Sequence, residues 1–244
     1  MHQIVIKIVI AATLAIIFGN GSVVAFNHMP QKWFEDWEDD ALDTKRRILP
    51  PKLLEADNAG RQRIPSTPWK YLFVGVFGCA GVYLSISAPV QLEIAVLVLM
   101  FVLLEMAIAD QLYRIVPDQL NVLLAITAIG FIGYNEKWWE PIAGAGIGLA
   151  LGLAVLGLGL LIFKTGSIGG ADIKFYTCMG LVAGRRGIIV IFVLTTVIFA
   201  LQSLVKIAMR RGTIRDSNAL MPAAFVATTV YMLFLWNLTD MIHF

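Results

Sequence analysis

The chain is poor in cysteine, in histidine and in charge, and each shortage closes off a class of function. Only Cys79 and Cys178 occur in 244 residues, 99 positions apart and each inside an apolar stretch, so neither a disulfide framework nor a CxxC metal pair can be built from them. Both are expected to be buried packing residues. His28 and His243 are isolated and suggest no ligand set, so neither a metal nor a cofactor is expected. Charged residues make up 15% of the chain, the net charge is only +2, and the basic residues are scattered, which argues against nucleic acid as a partner. No repeat array or low-complexity tract occurs.

What is abundant is apolar surface. Hydrophobic residues reach 58% with a mean hydropathy of +0.77, more than one soluble core of this length needs, so membrane lipid is the expected solvent. A bilayer core about 30 Å thick takes roughly 20 apolar residues as a helix. Eight runs of this kind, bounded by charges, prolines or glycines, cover residues 4–27, 69–87, 90–109, 119–134, 141–163, 173–184, 187–208 and 220–240. The fourth and sixth are short for a full crossing and call for tilt, partial immersion or fusion with a neighbour. The first run is long, weakly basic at its start and without a small-residue cleavage site before Asn27, so it reads as a retained helix, not a signal peptide. The expected fold is therefore all-α: a polytopic transmembrane helix bundle of about eight helices. Its parts are a first helix at 1–27, a cytoplasmic loop at 28–68 and a membrane core at 69–244.

Orientation follows from lysine and arginine, which concentrate in cytoplasmic loops. With the N-terminus outside, 15 of the 19 basic residues fall inside, and only Lys7, Lys137, Arg185 and Arg186 remain outside. The long loop opens with Glu35, Asp36, Glu38, Asp39, Asp40 and Asp43, which is either a plain solvated surface or a docking surface for a positively charged segment. Trp33, Phe34, Trp37, Trp69 and Tyr71 suit interfacial anchoring. In the fifth run, Gly144, Gly146, Gly148, Gly152, Gly157 and Gly159 set small residues at four-residue spacing, which suits close helix packing.

Carboxylates at membrane depth are costly and need a reason. Asp110 ends the third run and Asp172 sits between the fifth and sixth, both on the cytoplasmic side by the orientation above. Two carboxyls on separate helices at one depth are what an aspartic protease requires. At close range both cannot ionise comfortably, so one holds a proton and polarises the scissile carbonyl while the other acts as base on water. Gly169 and Gly170 supply backbone freedom beside Asp172. Glu105 reads as a protonated or hydrogen-bonded residue facing the bundle interior, Glu93 as a snorkelling residue near an outer helix end, and Asp118 as a helix cap or loop holder. Lys174 either lowers the charge cost of the acidic pair, orients a substrate, or is a helix-end lysine without a role.

Three features resemble the type IV prepilin peptidases, membrane aspartic proteases of the GxGD kind. An Asp seven residues before a Pro-Asp, followed by an apolar helix, matches Asp110, Pro117 and Asp118. The family's Gly-x-Gly-Asp-x-Lys is similar to Gly169-Gly170-Ala171-Asp172-Ile173-Lys174, with Ala171 replacing the second glycine. Met221-Pro222-Ala223-Ala224-Phe225 resembles the start of the family's last helix. The likeness runs from about residue 70 to 240; the first helix is less faithful, with Ala25 where an Asn is usual, and the loop after it lacks the family's paired CxxC motifs. The resemblance implies a catalytic pair Asp110 and Asp172, supported by Gly169, Gly170, Lys174, Pro117 and Asp118, in a bacterial inner-membrane peptidase without a structural zinc. Its substrate is then a prepilin or pseudopilin, cut after the basic leader; N-methylation of the product stays open. Two other classes stay beside it: a small proton- or cation-coupled transporter and a catalytically idle assembly factor of a pilus or secretion system. Presenilin-like enzymes share the second Asp motif but also need a Tyr-Asp before it and a Pro-Ala-Leu after it, neither of which is clear.

Overall fold

The computed structural model describes residues 2–34, 64–135, 137–163, 170–209 and 218–236. These form seven α-helices, and no strand occurs among the described residues. They are α1 (His2–His28), α2 (Trp69–Ser87), α3 (Val90–Tyr113), α4 (Asp118–Thr127, continued by a 3-10 turn at Ala128–Tyr134), α5 (Glu140–Phe163), α6 (Gly170–Ala208) and α7 (Met221–Val230, continued by a π-turn at Tyr231–Leu235). Five are long and apolar enough to cross a membrane, and α4 and α7 are the shorter apolar helices. The fold is the expected all-α transmembrane bundle.

Eight expected runs and seven helices agree once α6 is inspected. Gly184, at φ 69° and ψ −174°, interrupts its helical backbone. Tyr176 and Phe192 lie either side of it, and their rings meet with centroids 5.2 Å apart. In a straight helix residues sixteen apart would be separated by roughly 24 Å. The chain therefore reverses at Gly184, and α6 is a hairpin of two arms that meet at the boundary expected between residues 184 and 187. A left-handed φ is easy only for glycine, and here a Cβ would also stand 3.2 Å from the Asn135 side-chain oxygen.

Punctuation sets the other turns. Ala88 leaves α2 in an extended conformation, and Pro89, which has no N–H, precedes α3. At the far end of α3, Arg114 takes a left-handed conformation at φ 58° with its N–H on the Asp110 carbonyl, and Pro117 then precedes α4. A non-glycine there costs about 1 kcal/mol, and it produces the short turn directly after Asp110.

Helix α3 is the axis of the bundle. Leu97, Leu99, Met100, Leu103 and Met106 are fully buried, whereas α5 and α6 leave most of their apolar surface outward, as lipid-facing helices do. The glycine stripe of α5 does what its spacing predicts. Gly144 packs on Gly180, Gly148 on the Tyr176 backbone and Gly152 on Ile173, so α5 and the first arm of α6 touch along their backbones. Gly146 and Gly157 face open space and take no part.

Contacts define the two ends of the bundle. One end gathers the end of α3, the starts of α4, α6 and α7, and Asn27, whose side chain brackets Ile64 through both its amide nitrogen and its oxygen. The other gathers Lys7, the α2–α3 turn, Tyr134, Asn135, Glu140, the Gly184 turn and the π-turn after α7.

Some expectations are corrected. Cys79 is exposed on the outer face of α2 and Cys178 is only half-buried, because a thiol on an apolar helix is as well solvated by lipid as by protein. Glu93 does not snorkel: it is fully buried and accepts a hydrogen bond from Ser85 at 3.1 Å, while Lys7 reaches over the turn to the Ala88 carbonyl. Asp110 lies inside the last turn of α3 instead of ending it, and Asp172 lies within the first turn of α6, where an acidic residue suits the helix N-terminus. Trp37 and the acidic run from Glu35 to Asp43 fall outside the described residues.

Candidate active site

Three acidic side chains, Asp110, Asp118 and Asp172, lie at one end of the bundle. Asp110 is 9% exposed, and its Oδ2 accepts a hydrogen bond from the Met221 backbone N–H at 2.8 Å, with the Leu220 amide beside it. Met221 opens α7, so this N–H is one of the donors a helix start leaves without a partner. A side chain 111 positions earlier in the chain thus caps α7 from α3, with its charge matched to the positive end of the helix. Pro222, in the first turn of α7, needs no N–H partner and leaves the Met221 amide to Asp110.

Asp172 is half-buried in the first turn of α6. Two residues on, Lys174 turns to Asp118 instead, with its ammonium 2.7 and 2.8 Å from the two carboxylate oxygens. Both partners are more than half exposed, at 55% and 64%, so the pair contributes at most about 1 kcal/mol. Its consequence is positional, because it ties the start of α6 to the start of α4. Asp118 does not cap α4 across Pro117; it serves this pair.

The remaining expected residues divide. Pro117 sets the entry to α4 in an extended conformation. Gly170 is the exposed first residue of α6, with open space where a Cβ would stand, and Ala171 packs partly against the core. Gly169 lies outside the described residues. Among the described residues no cluster of His, Cys, Asp or Glu could hold a metal ion.

Sequence reasoning misses three contributors. The Met221 amide carries no side-chain signal, although the Met-Pro pair marks a helix start. Phe26, Phe34 and Tyr113 form an aromatic group beside the last turn of α3, with Phe34 and Tyr113 centroids 4.7 Å apart; Phe34 thus packs on protein, where its position in the chain suggests lipid anchoring. Asn121, in the second turn of α4, is buried with neither amide atom hydrogen-bonded.

An all-helical membrane bundle with two carboxylates and a lysine–aspartate pair at one end is the frame of an intramembrane acid site. Residues 97–204 match the family model described as the type IV leader peptidase family, and the matched stretch contains both Asp110 and Asp172. The match supports a type IV leader peptidase-like protease acting on a protein substrate. No curated protein and no solved structure matches the chain.

Proposed function

We propose that the protein is a membrane aspartic endopeptidase of the GxGD class that removes the basic leader from a prepilin or pseudopilin at the cytoplasmic membrane face. The observation that carries the reading is the family match across both aspartate motifs, together with the position of Asp110 and Asp172 at the same end of the bundle. A cytoplasmic placement of that end is supported by the sequence, whose apolar runs assign 15 of 19 basic residues to the side on which both aspartates fall. The host membrane is then a bacterial inner membrane.

In this mechanism Asp110 and Asp172 share one proton. The ionised partner draws a proton from water as it attacks the scissile carbonyl, and the protonated partner donates to the carbonyl oxygen. The roles then exchange as the amine leaves with a proton. The Met221 amide at the α7 start donates to Asp110 and holds its carboxyl group at that helix start. Lys174 and Asp118 hold the α4 and α6 starts in register, and Pro117 shapes the turn between α3 and α4. The substrate's apolar helix lies against the bundle, and its basic leader is drawn to the acidic run Glu35 to Asp43.

The test is cleavage of a tagged prepilin in reconstituted membranes by wild type, Asp110→Asn and Asp172→Asn. Each substitution keeps shape and removes proton exchange, so each is expected to abolish cleavage with folding intact. If both variants still cleave, the dyad assignment is wrong; if the wild type itself does not cleave, the transporter or assembly-factor class takes the place of the peptidase. Mass analysis of the product's new N-terminus reports methylation in the same experiment.

A further inference from the structure

At the end of the bundle opposite Asp110, a small recess of about 40 Å³, open to solvent, is lined by Arg185, Arg186, Glu140, Asn135, Tyr231 and Trp236 among others. Sequence and fold explain why it exists. The hairpin of α6 reverses at Gly184, and the Gly-Arg-Arg-Gly turn holds two adjacent arginines at the start of its second arm. Gly187 completes it: a side chain there would collide with the Tyr231 hydroxyl, so this glycine lets the tyrosine close over the helix start.

The charges in the recess do not cancel. Arg185 and Arg186 are both half-buried, and among the described residues neither has a carboxylate partner; Arg185 rests 5.7 Å from the Trp139 ring centroid. Among the described residues Glu140 is the one acidic residue in the lining, and it is the first residue of α5, where that helix's own positive end attracts it. The second arm of α6 begins here as well, so its unpartnered N–H groups add to the positive field. At the nearby end of α4, the Asn135 amide and backbone N–H take the Phe131 and Ile132 carbonyls, which reduces the opposing negative pole. Among the described residues the lining side chains carry two positive charges and one negative. Trp139 stands beside Arg185, and Trp138, its neighbour in the chain, is 82% exposed, as suits a residue at headgroup depth. Arginine presents a planar fork matched to phosphate oxygens.

We propose that this recess is a binding site for a phosphate monoanion, supplied by an anionic phospholipid headgroup or by free phosphate, with Arg185 and Arg186 as its ligands. The site is separate from the aspartates and does not depend on the peptidase reading.

The test is native mass spectrometry of the full chain in neutral detergent, titrated with short-chain phosphatidylglycerol, short-chain phosphatidylcholine and inorganic phosphate. Phosphatidylglycerol is expected to bind at low stoichiometry and to weaken at least about tenfold in R185Q/R186Q, while K137Q, which changes a cation outside the lining, binds as wild type. Displacement of the lipid by millimolar inorganic phosphate assigns the site to free phosphate; resistance to it assigns the site to lipid. Equal binding of phosphatidylcholine, or unchanged affinity in a folded R185Q/R186Q, overturns the proposal. If that variant does not fold, R185K/R186K keeps the charge and loses the fork; its affinity must fall too, and an unchanged value overturns the proposal equally.

Discussion

The two ends of the bundle each bring charged side chains to the start of a helix, with opposite sign. At one end Asp110 sits on the first amide of α7, and the helix pole and the carboxylate satisfy each other. At the other, Arg185 and Arg186 sit at the start of the second arm of α6, where pole and guanidinium repel. The first arrangement is complete within the protein, whereas the second attracts an anion from outside. Identical backbone physics thus yields a held acid at one end and an anion-attracting recess at the other, and the side chain alone decides which.

The sharpest way to break this contrast is at the acid end. Asp110→Asn and Asp172→Asn are each expected to lower prepilin cleavage by more than about a hundredfold, with Asp110→Asn still capping α7 because its amide oxygen accepts from Met221. Next in size is a packing test of the helices that carry both ends. Gly148→Leu drives a side chain into the Tyr176 backbone and should cost about 3 kcal/mol in a denaturant titration, whereas Gly157→Leu meets open space and should change little. Equal effects at the two glycines would show that the backbone contact between α5 and α6 contributes little to stability.

A smaller effect compares two carboxylates on one helix. Asp110 has its amide partner, but Glu105, five residues earlier and 1% exposed, has neither oxygen in a protein hydrogen bond that meets ordinary geometry, although Ser22 of α1 lies beside it. Glu105→Leu should raise stability by about 1–3 kcal/mol. A stabilised variant that loses cleavage would give Glu105 a role in the reaction. Smallest is Lys174→Met, which should change stability by less than about 1 kcal/mol because the pair with Asp118 is exposed. A large loss of cleavage at unchanged stability would mean that Lys174 also meets substrate.

Most of the fold is legible in the order of the residues. Runs of apolar residues and the prolines, glycines and charges between them bound α2 at the expected residues and most other helices within a few. The Gly184 reversal falls at the expected break. Length and punctuation are local properties, and a bilayer demands both. The parity of the crossings also assigns Asp110 and Asp172 to one end.

What the sequence by itself determined was thus the class, the helices and the common end of Asp110 and Asp172. Only the tertiary structure decided the partners of these charges: Asp110 the Met221 amide, Lys174 the distant Asp118, Glu93 a buried serine in place of the headgroups. Helix runs follow from the free energy of neighbouring residues in lipid, whereas these pairings depend on rotations and depths of packed helices that residues far apart in the chain set together.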